Sequence, residues 1–278
     1  MTISVLMSVY CSEKAEYLDR ALHSVWTDQT LKPDKIVLIE DGQLTNELYS
    51  VIDNWQNTLN DKLLILKNET NLGLTKSLNK GIQHITTDLI ARMDSDDISL
   101  PNRFELQHNF MKLHPEISVL GGRLQEFNDE NRCLGIRNYP TDSEKIKKYI
   151  CKASPLAHPS VMMRTSIFNS LKYNEAYKTS QDIALWFDVL EKGFKISNLE
   201  EIVLHFRRDS DTLKRRNKSK ALNEFKIYMK GIKKLYGIFS FRYIYPLMRL
   251  IFRSMPKVFI RKIYDGKIRK AMLNKSQQ

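Results

Sequence analysis

Apolar residues in this chain fall into short continuous runs separated by stretches of helical spacing. Residues 3–10, ISVLMSVY, form the first run and predict a buried strand. The next segment, YLDRALHSVWTDQ, carries Leu18, Ala21, Leu22, Val25 and Trp26 on one side of a helix. DKIVLIEDG predicts a second strand, followed by a helix around 44–58, and KLLILKN a third strand. NLGLTKSLNKGIQHI opens with Asn and Gly and becomes helical; DLIARM is a fourth strand. Strands apolar on both sides, alternating with helices, predict an α/β fold: a mostly parallel sheet with helices on both faces. Further on, LPNRFELQHNFMKLHP reads as a helix, ISVLGGRLQEF as a strand, and residues 128–145 as a polar connector. HPSVMMR is strand-like, TSIFNSL is a short helix, SQDIALWFDVLEKGF is a helix with Asp182 in its first turn, and KISNLEEIVLHFRR contains a strand.

Ligands of such sheets bind beyond the carboxyl ends of the strands. All four predicted ends are polar, so one crevice can collect Ser8, Tyr10, Asp41, Asn71, Asp94 and Asp96. Each has a plain structural alternative. EDG is a good turn, but Asp41 is also suited to accept from the N–H of a nucleobase. Tyr10 either packs in the core or stacks on that base. NLG either starts a helix or meets a ligand. Lys76 and Arg92 put positive charge near the acids, as ligand contacts or as ion-pair partners.

The densest chemistry is ARMDSDD at residues 91–97. Carboxylates this close repel one another unless a cation lies between them. In an extended or turn backbone Asp94 and Asp96 flank Ser95 and point to one side. That makes an open oxygen site suited to Mn²⁺ or Mg²⁺. The competing reading is a helix cap, because DDISLP precedes a helix; it accounts for Asp97 and leaves Asp94 and Asp96 unexplained.

Together, SVLMSVY, IVLIEDG, NLGLTKSLNKGI, ARMDSDDISLPNRF and SQDIALWFDV resemble the inverting, GT-A-fold enzymes of glycosyltransferase family 2. The likeness is greatest to bacterial enzymes of O-antigen and exopolysaccharide assembly, and it covers residues 1–210. It implies a Rossmann-like GT-A domain and transfer of a sugar from a UDP-sugar to a hydroxyl of a lipid-linked saccharide. It implies that the SVY segment and Asp41 grip the uridine. Asp94, Ser95 and Asp96 match the family's DxD, which holds the ribose and the metal on the diphosphate. Gln181-Asp182 matches its acidic motif, which makes Asp182 the general base. The chain departs from the pattern in two places. The family's Glu-Asp is Gln-Asp here, and a metal-binding His after the last core strand has only His205 or Asp209 as counterparts. HPSV places His158 near the acceptor side or in a purely structural role.

Composition changes this picture at one end. The net charge is +12, yet residues 205–278 hold 21 Lys and Arg against 4 Asp and Glu. A slightly acidic body therefore carries a strongly basic extension over 211–278, rich in Phe, Tyr, Ile and Met and divided by Pro246 and Pro256. Such a segment predicts amphipathic helices on an anionic membrane surface, or basic helices packed on the core. No run reaches the roughly 18 apolar residues of a spanning helix, and no signal peptide is evident. Three scattered cysteines fit a reducing compartment. The expected place is the cytoplasm, peripheral at the inner face of the membrane. Nucleic acid is not an expected partner, because acids clustered at four strand ends repel phosphate unless a metal intervenes. A sugar nucleotidyltransferase is the nearest rival, but SVYCSEKAEY lacks the Gly-rich basic loop that chemistry wants.

Overall fold

A computed structural model describes residues 1–130, 132–208 and 218–254. The strands are β1 (Ile3–Val9), β2 (Lys35–Asp41), β3 (Leu63–Asn68), β4 (Leu89–Asp94), β5 (Ile98–Ser99), β6 (Ile117–Phe127), β7 (Cys133–Arg137), β8 (Met162–Arg164) and β9 (Lys195–Arg207). The helices are α1 (Ala15–Val25), α2 (Asn46–Leu59), α3 (Leu74–Ile82), α4 (Arg103–Leu113), α5 (Ser143–Tyr149), α6 (Gln181–Glu191), α7 (Lys218–Tyr236) and α8 (Ile244–Ser254). The apolar runs and helical stretches read from the sequence all reappear. The polar connector contains β7 and the start of α5, too short and too exposed to leave an apolar pattern.

The sheet runs β3-β2-β1-β4-β8-β6-β9-β5, with β7 on β6. The half formed by β1 to β4 is parallel, as alternating strands and helices require. The second half is mixed: β8 runs antiparallel to β4 and β6, while β9 is parallel to β6. The fold is therefore mixed α/β, with its parallel pairing concentrated in the first 94 residues.

Both faces are covered. Val5, Met7, Val9, Ile36 and Leu38 join Leu18, Leu22, Ile52 and Trp55 in one core. Leu6, Val37, Ile39 and Ile90 point the other way and meet Leu78, Trp186, Phe187 and Tyr228. The period of two along a strand assigns these sides. It also puts Arg92 and Asp94 on the second face, in line with Ile90.

The second core reaches past residue 210. α7 lies on α6 and buries Ile227, Tyr228 and Ile232 there. The helices approach closely at Gly231, where an added Cβ would stand 2.2 Å from the Phe187 ring. Part of the basic extension is thus packed core.

Candidate active site

An open cleft of about 630 Å³ lies at the carboxyl ends of the parallel strands. Ser8, Tyr10, Asp41, Asn71, Asp94, Ser95 and Asp96 all line it. Parallel pairing makes Ser8 the direct neighbour of Asp94. Asp41 ends β2 and organises the loop after β3. Its carboxylate accepts from Asn68 Nδ2 (2.9 Å) and from the backbone N–H groups of Leu72 (2.8 Å) and Gly73 (2.9 Å). Gly42 permits this closeness: its φ is +88°, and a Cβ there would stand 2.7 Å from the Asn71 nitrogen.

The acids converge behind this loop. One oxygen from each of Asp94, Asp96 and Asp97 lies within 4.8 Å of the others. Asp97 is not a helix cap. The residue before α4 is Asn102, whose side chain makes no cap hydrogen bond. Asp97 is buried and accepts from the backbone N–H of Arg207 at 2.8 Å, which fastens the end of β9 to the acidic turn. Its other oxygen is buried without a hydrogen bond among the described residues. Burial, then Asp94, then Glu13 push the Asp96 carboxyl up to about 7. Burial and the two neighbouring acids raise Asp97 well above the usual carboxylate range. Three hard oxygen donors, one of them unsatisfied, together fit a divalent cation such as Mg²⁺ or Mn²⁺.

Arg92 and Lys76 do not line the cleft. Arg92 is buried beneath it and donates from Nη2 to Asp94 Oδ1. Lys76 is exposed on α3, whose inward side carries Thr75, Ser77 and Leu78. Asp182 is half-buried in the first turn of α6, outside the cleft lining. Burial raises its pKa, opposed by the Ile183 and Asp182 backbone N–H groups and by the Arg92 charge. The residue before the helix pair Gln181-Asp182 is Ser180, a non-glycine in the left-handed region at φ 58°. Such strain persists only where the surroundings impose it. Asn223 of α7 does so in part: its Nδ2 donates to the Thr179 carbonyl (2.9 Å) and Oγ1 (3.2 Å).

The sequence profile described as glycosyl transferase family 2 matches residues 4–194. The chain belongs to glycosyl transferase family 2. It is 34% identical over 263 residues to the amylovoran biosynthesis glycosyltransferase AmsE of Erwinia amylovora, covering 94% of this chain and 97% of that one. It is also 34% identical over 269 residues to an Escherichia coli UDP-Gal:alpha-D-GlcNAc-diphosphoundecaprenol beta-1,3-galactosyltransferase, covering 96% of each. Its fold is similar to that of S. aureus TarS, with a TM-score of 0.65 at 18% identity over 91% of this chain. The chain spans 43% of that longer protein. A TarS fragment in complex with UDP-GlcNAc gives a TM-score of 0.63 at 17% identity, covering 92% of this chain and 82% of that one. The protein is therefore a glycosyltransferase of GT-A fold.

In this family 2 chain the cleft also holds a group of basic side chains paired with Asp129 and Glu126, and the sequence reading passed over it. Lys14, Arg137, Arg207 and Arg208 line the cleft with Tyr17 and Phe206. Arg207 is the hub. Its Nε donates to the Asp96 carbonyl (3.0 Å), its Nη1 to Asp129 (3.2 Å), and its guanidinium stacks on Tyr17 at 3.8 Å. The missed signal was the Arg-Arg pair at the end of β9, a polar strand end like the other four. His205 pairs with Ile98 across β9 and β5, half-buried and outside the acid cluster. Asp209 lies outside the described residues. His158 is buried, with its Nε2 2.7 Å from the Tyr173 hydroxyl. Burial holds its pKa well below the usual histidine value, which keeps the ring neutral and structural.

Proposed function

We propose that the protein transfers a sugar from a UDP-sugar to a hydroxyl of a lipid-linked saccharide, with inversion, in O-antigen or exopolysaccharide assembly. The observation that carries this reading is the convergence of Ser8, Tyr10, Asp41 and the acids Asp94 and Asp96 on one cleft of a family 2 chain. A relative named for UDP-Gal and a diphosphoundecaprenol acceptor supports the donor and acceptor classes. Tyr10 is exposed at the cleft mouth, free to stack on a base. The oxygens of Asp41 face the loop that would meet that base. Asp94, Asp96 and Asp97 would hold Mn²⁺ or Mg²⁺, which when bound supplies charge stabilisation to a leaving diphosphate. The guanidinium groups of Arg137, Arg207 and Arg208, answered by only the two carboxylates of Glu126 and Asp129, leave net positive charge along the same cleft.

An acceptor alcohol is a poor nucleophile and needs a base within hydrogen-bond reach. Asp182 takes its proton. Burial raises the Asp182 pKa and so makes the carboxylate a stronger base, while the Ile183 and Asp182 backbone N–H groups and the Arg92 charge partly oppose that rise. One base, attacking opposite the leaving group, inverts the anomeric centre. The basic C-terminal region then serves at the surface of the membrane that carries the acceptor.

The test is Asp182→Asn. Turnover should fall on the order of 10²-fold or more, while UDP affinity, measured by calorimetry, stays within about twofold. Turnover near the parent rate would remove Asp182 from the mechanism.

A further inference from the structure

The outer side of α8 is apolar. Ile244, Leu247, Met248 and Ile251 recur at helical spacing, and each is 49–61% exposed. The opposite side carries Pro246, Arg249 and Leu250, which meet α7 at Glu224, Phe225 and Tyr228. A helix on the surface of a globular body usually turns its polar side to water. This one turns the polar Arg249 inward, where it pairs with Glu224 at 2.8 Å. The turn between α7 and α8 continues the apolar strip with Ile238 (60% exposed), Phe239 (95%) and Phe241 (71%). Seven large apolar side chains, close in sequence and all exposed, mark an interaction surface.

Its surroundings are mainly basic, although Glu224 answers Arg249 and Glu144 is exposed on α5. Arg242 stacks on Tyr236 at 4.0 Å and on Phe241 at 4.8 Å. Lys152 lies over Tyr245 at 5.1 Å, and its carbonyl accepts from Arg249 Nη1 at 3.1 Å. That contact joins α8 to the segment after α5; Lys152 there and Lys145 and Lys148 on α5 are exposed. No Asp or Glu occurs between Glu224 and Asp265.

We propose that this face rests on an anionic lipid bilayer. Phe239, Phe241 and the outer side of α8 enter the boundary between headgroups and acyl chains, and the lysines and arginines contact lipid phosphates. No helix among the described residues is long and apolar enough to cross a membrane, so the contact is one of surface docking. Charge decides between a bilayer and a second copy of the chain. A two-fold contact through this face would set the arginines and lysines of residues 225–264 against their own copies, with no acid in that stretch and Glu224 already paired to Arg249, so the excess of positive charge favours an anionic surface. Docking rests only on this surface. Its use, keeping the cleft close to a lipid-carried acceptor, rests on the transferase reading.

The experiment is co-sedimentation of the full chain with phosphatidylcholine vesicles, with and without phosphatidylglycerol, at low and high salt. The parent protein should bind the anionic vesicles and release as salt rises. The exposed triple substitution Phe239→Ser, Phe241→Ser and Met248→Ser should lower partitioning about tenfold or more. Transfer to a water-soluble acceptor should be unchanged in that variant. Equal binding by variant and parent overturns the proposal. So does a parent dimer, seen by sedimentation velocity, that the substitutions dissolve while vesicle binding is absent. Parent binding that the substitutions lower, with no transfer by either protein, would instead overturn the proposed donor and acceptor and leave the docking standing.

Discussion

Arg92 and Arg103 hold the acidic turn from below. Arg92 pairs with Asp94, and Arg103 Nη2 donates to the Arg92 carbonyl at 2.8 Å while its Nε donates to Gln107 at 3.1 Å. Burial and the Arg92 charge bring the Arg103 guanidinium down to about 9. The acids show the converse shift, and its sign sets a pH dependence. Unfolded carboxylates titrate near pH 4; Asp96 titrates at about 7 in the fold, and Asp97 higher than the usual range. Between these values the folded state holds protons that the unfolded state has lost. The contribution of these two groups to stability is therefore full below about pH 4 and is lost as pH rises through 7. A divalent cation displaces the same protons, so its stabilising effect runs the other way. The rise in melting temperature on adding Mn²⁺ should be small at about pH 5 and large at about pH 8, and Asp96→Ala should remove it. A shift of equal size across that range, or one that survives the substitution, would show that these acids do not hold the ion.

At the scale of elements, the contact between α7 and the strand-free segment before α6 links the basic extension to the chemistry. Thr179 stands next to Ser180, whose left-handed backbone aims the first turn of α6 and with it Asp182. Asn223 supplies two hydrogen bonds to Thr179. Removing them costs about 0.5–1.5 kcal/mol each, spent in this structure on orientation of the base. Asn223→Ala should lower kcat about tenfold and leave the KM for the donor nearly unchanged. An equal fall in kcat/KM for every substrate, traced to a lower melting temperature alone, would mean that the contact only stabilises the fold. Sequence spacing placed α6 and α7 as helices. It contained no sign that one would steady the entrance of the other, because that pairing joins residues 44 positions apart.

Across the whole molecule the change of charge near residue 210 and the limits of packing do not coincide. Ile227, Tyr228 and Ile232 complete the second core, and Lys234 pairs with both Asp188 and Glu191 at 2.7 Å. A chain ending at 217 would leave Trp186, Phe187 and their neighbours uncovered, each large side chain worth about 1.5–3 kcal/mol when buried. It should be insoluble or melt far below the parent. A chain ending at 254 keeps every described contact and should melt within a few degrees of it. Equal melting of the two, read by calorimetry, would mean that residues 1–217 fold without α7.

The sequence by itself determined the alternating strands and helices, the polar strand ends and the paired acids of ARMDSDD. These are local properties: a period of two or of 3.6 in polarity, and a side chain's own chemistry. It also showed that the last 74 residues are basic. The tertiary structure alone decided which strand ends share a cleft and that Arg207 closes it. It decided that Asp97 ties β9 to the acidic turn instead of capping α4, and that Lys76 points away. It also decided that α7 is core while α8 shows its apolar side outward. Each of these depends on which distant segments pack together, and burial is a relation between segments that no single stretch of chain contains.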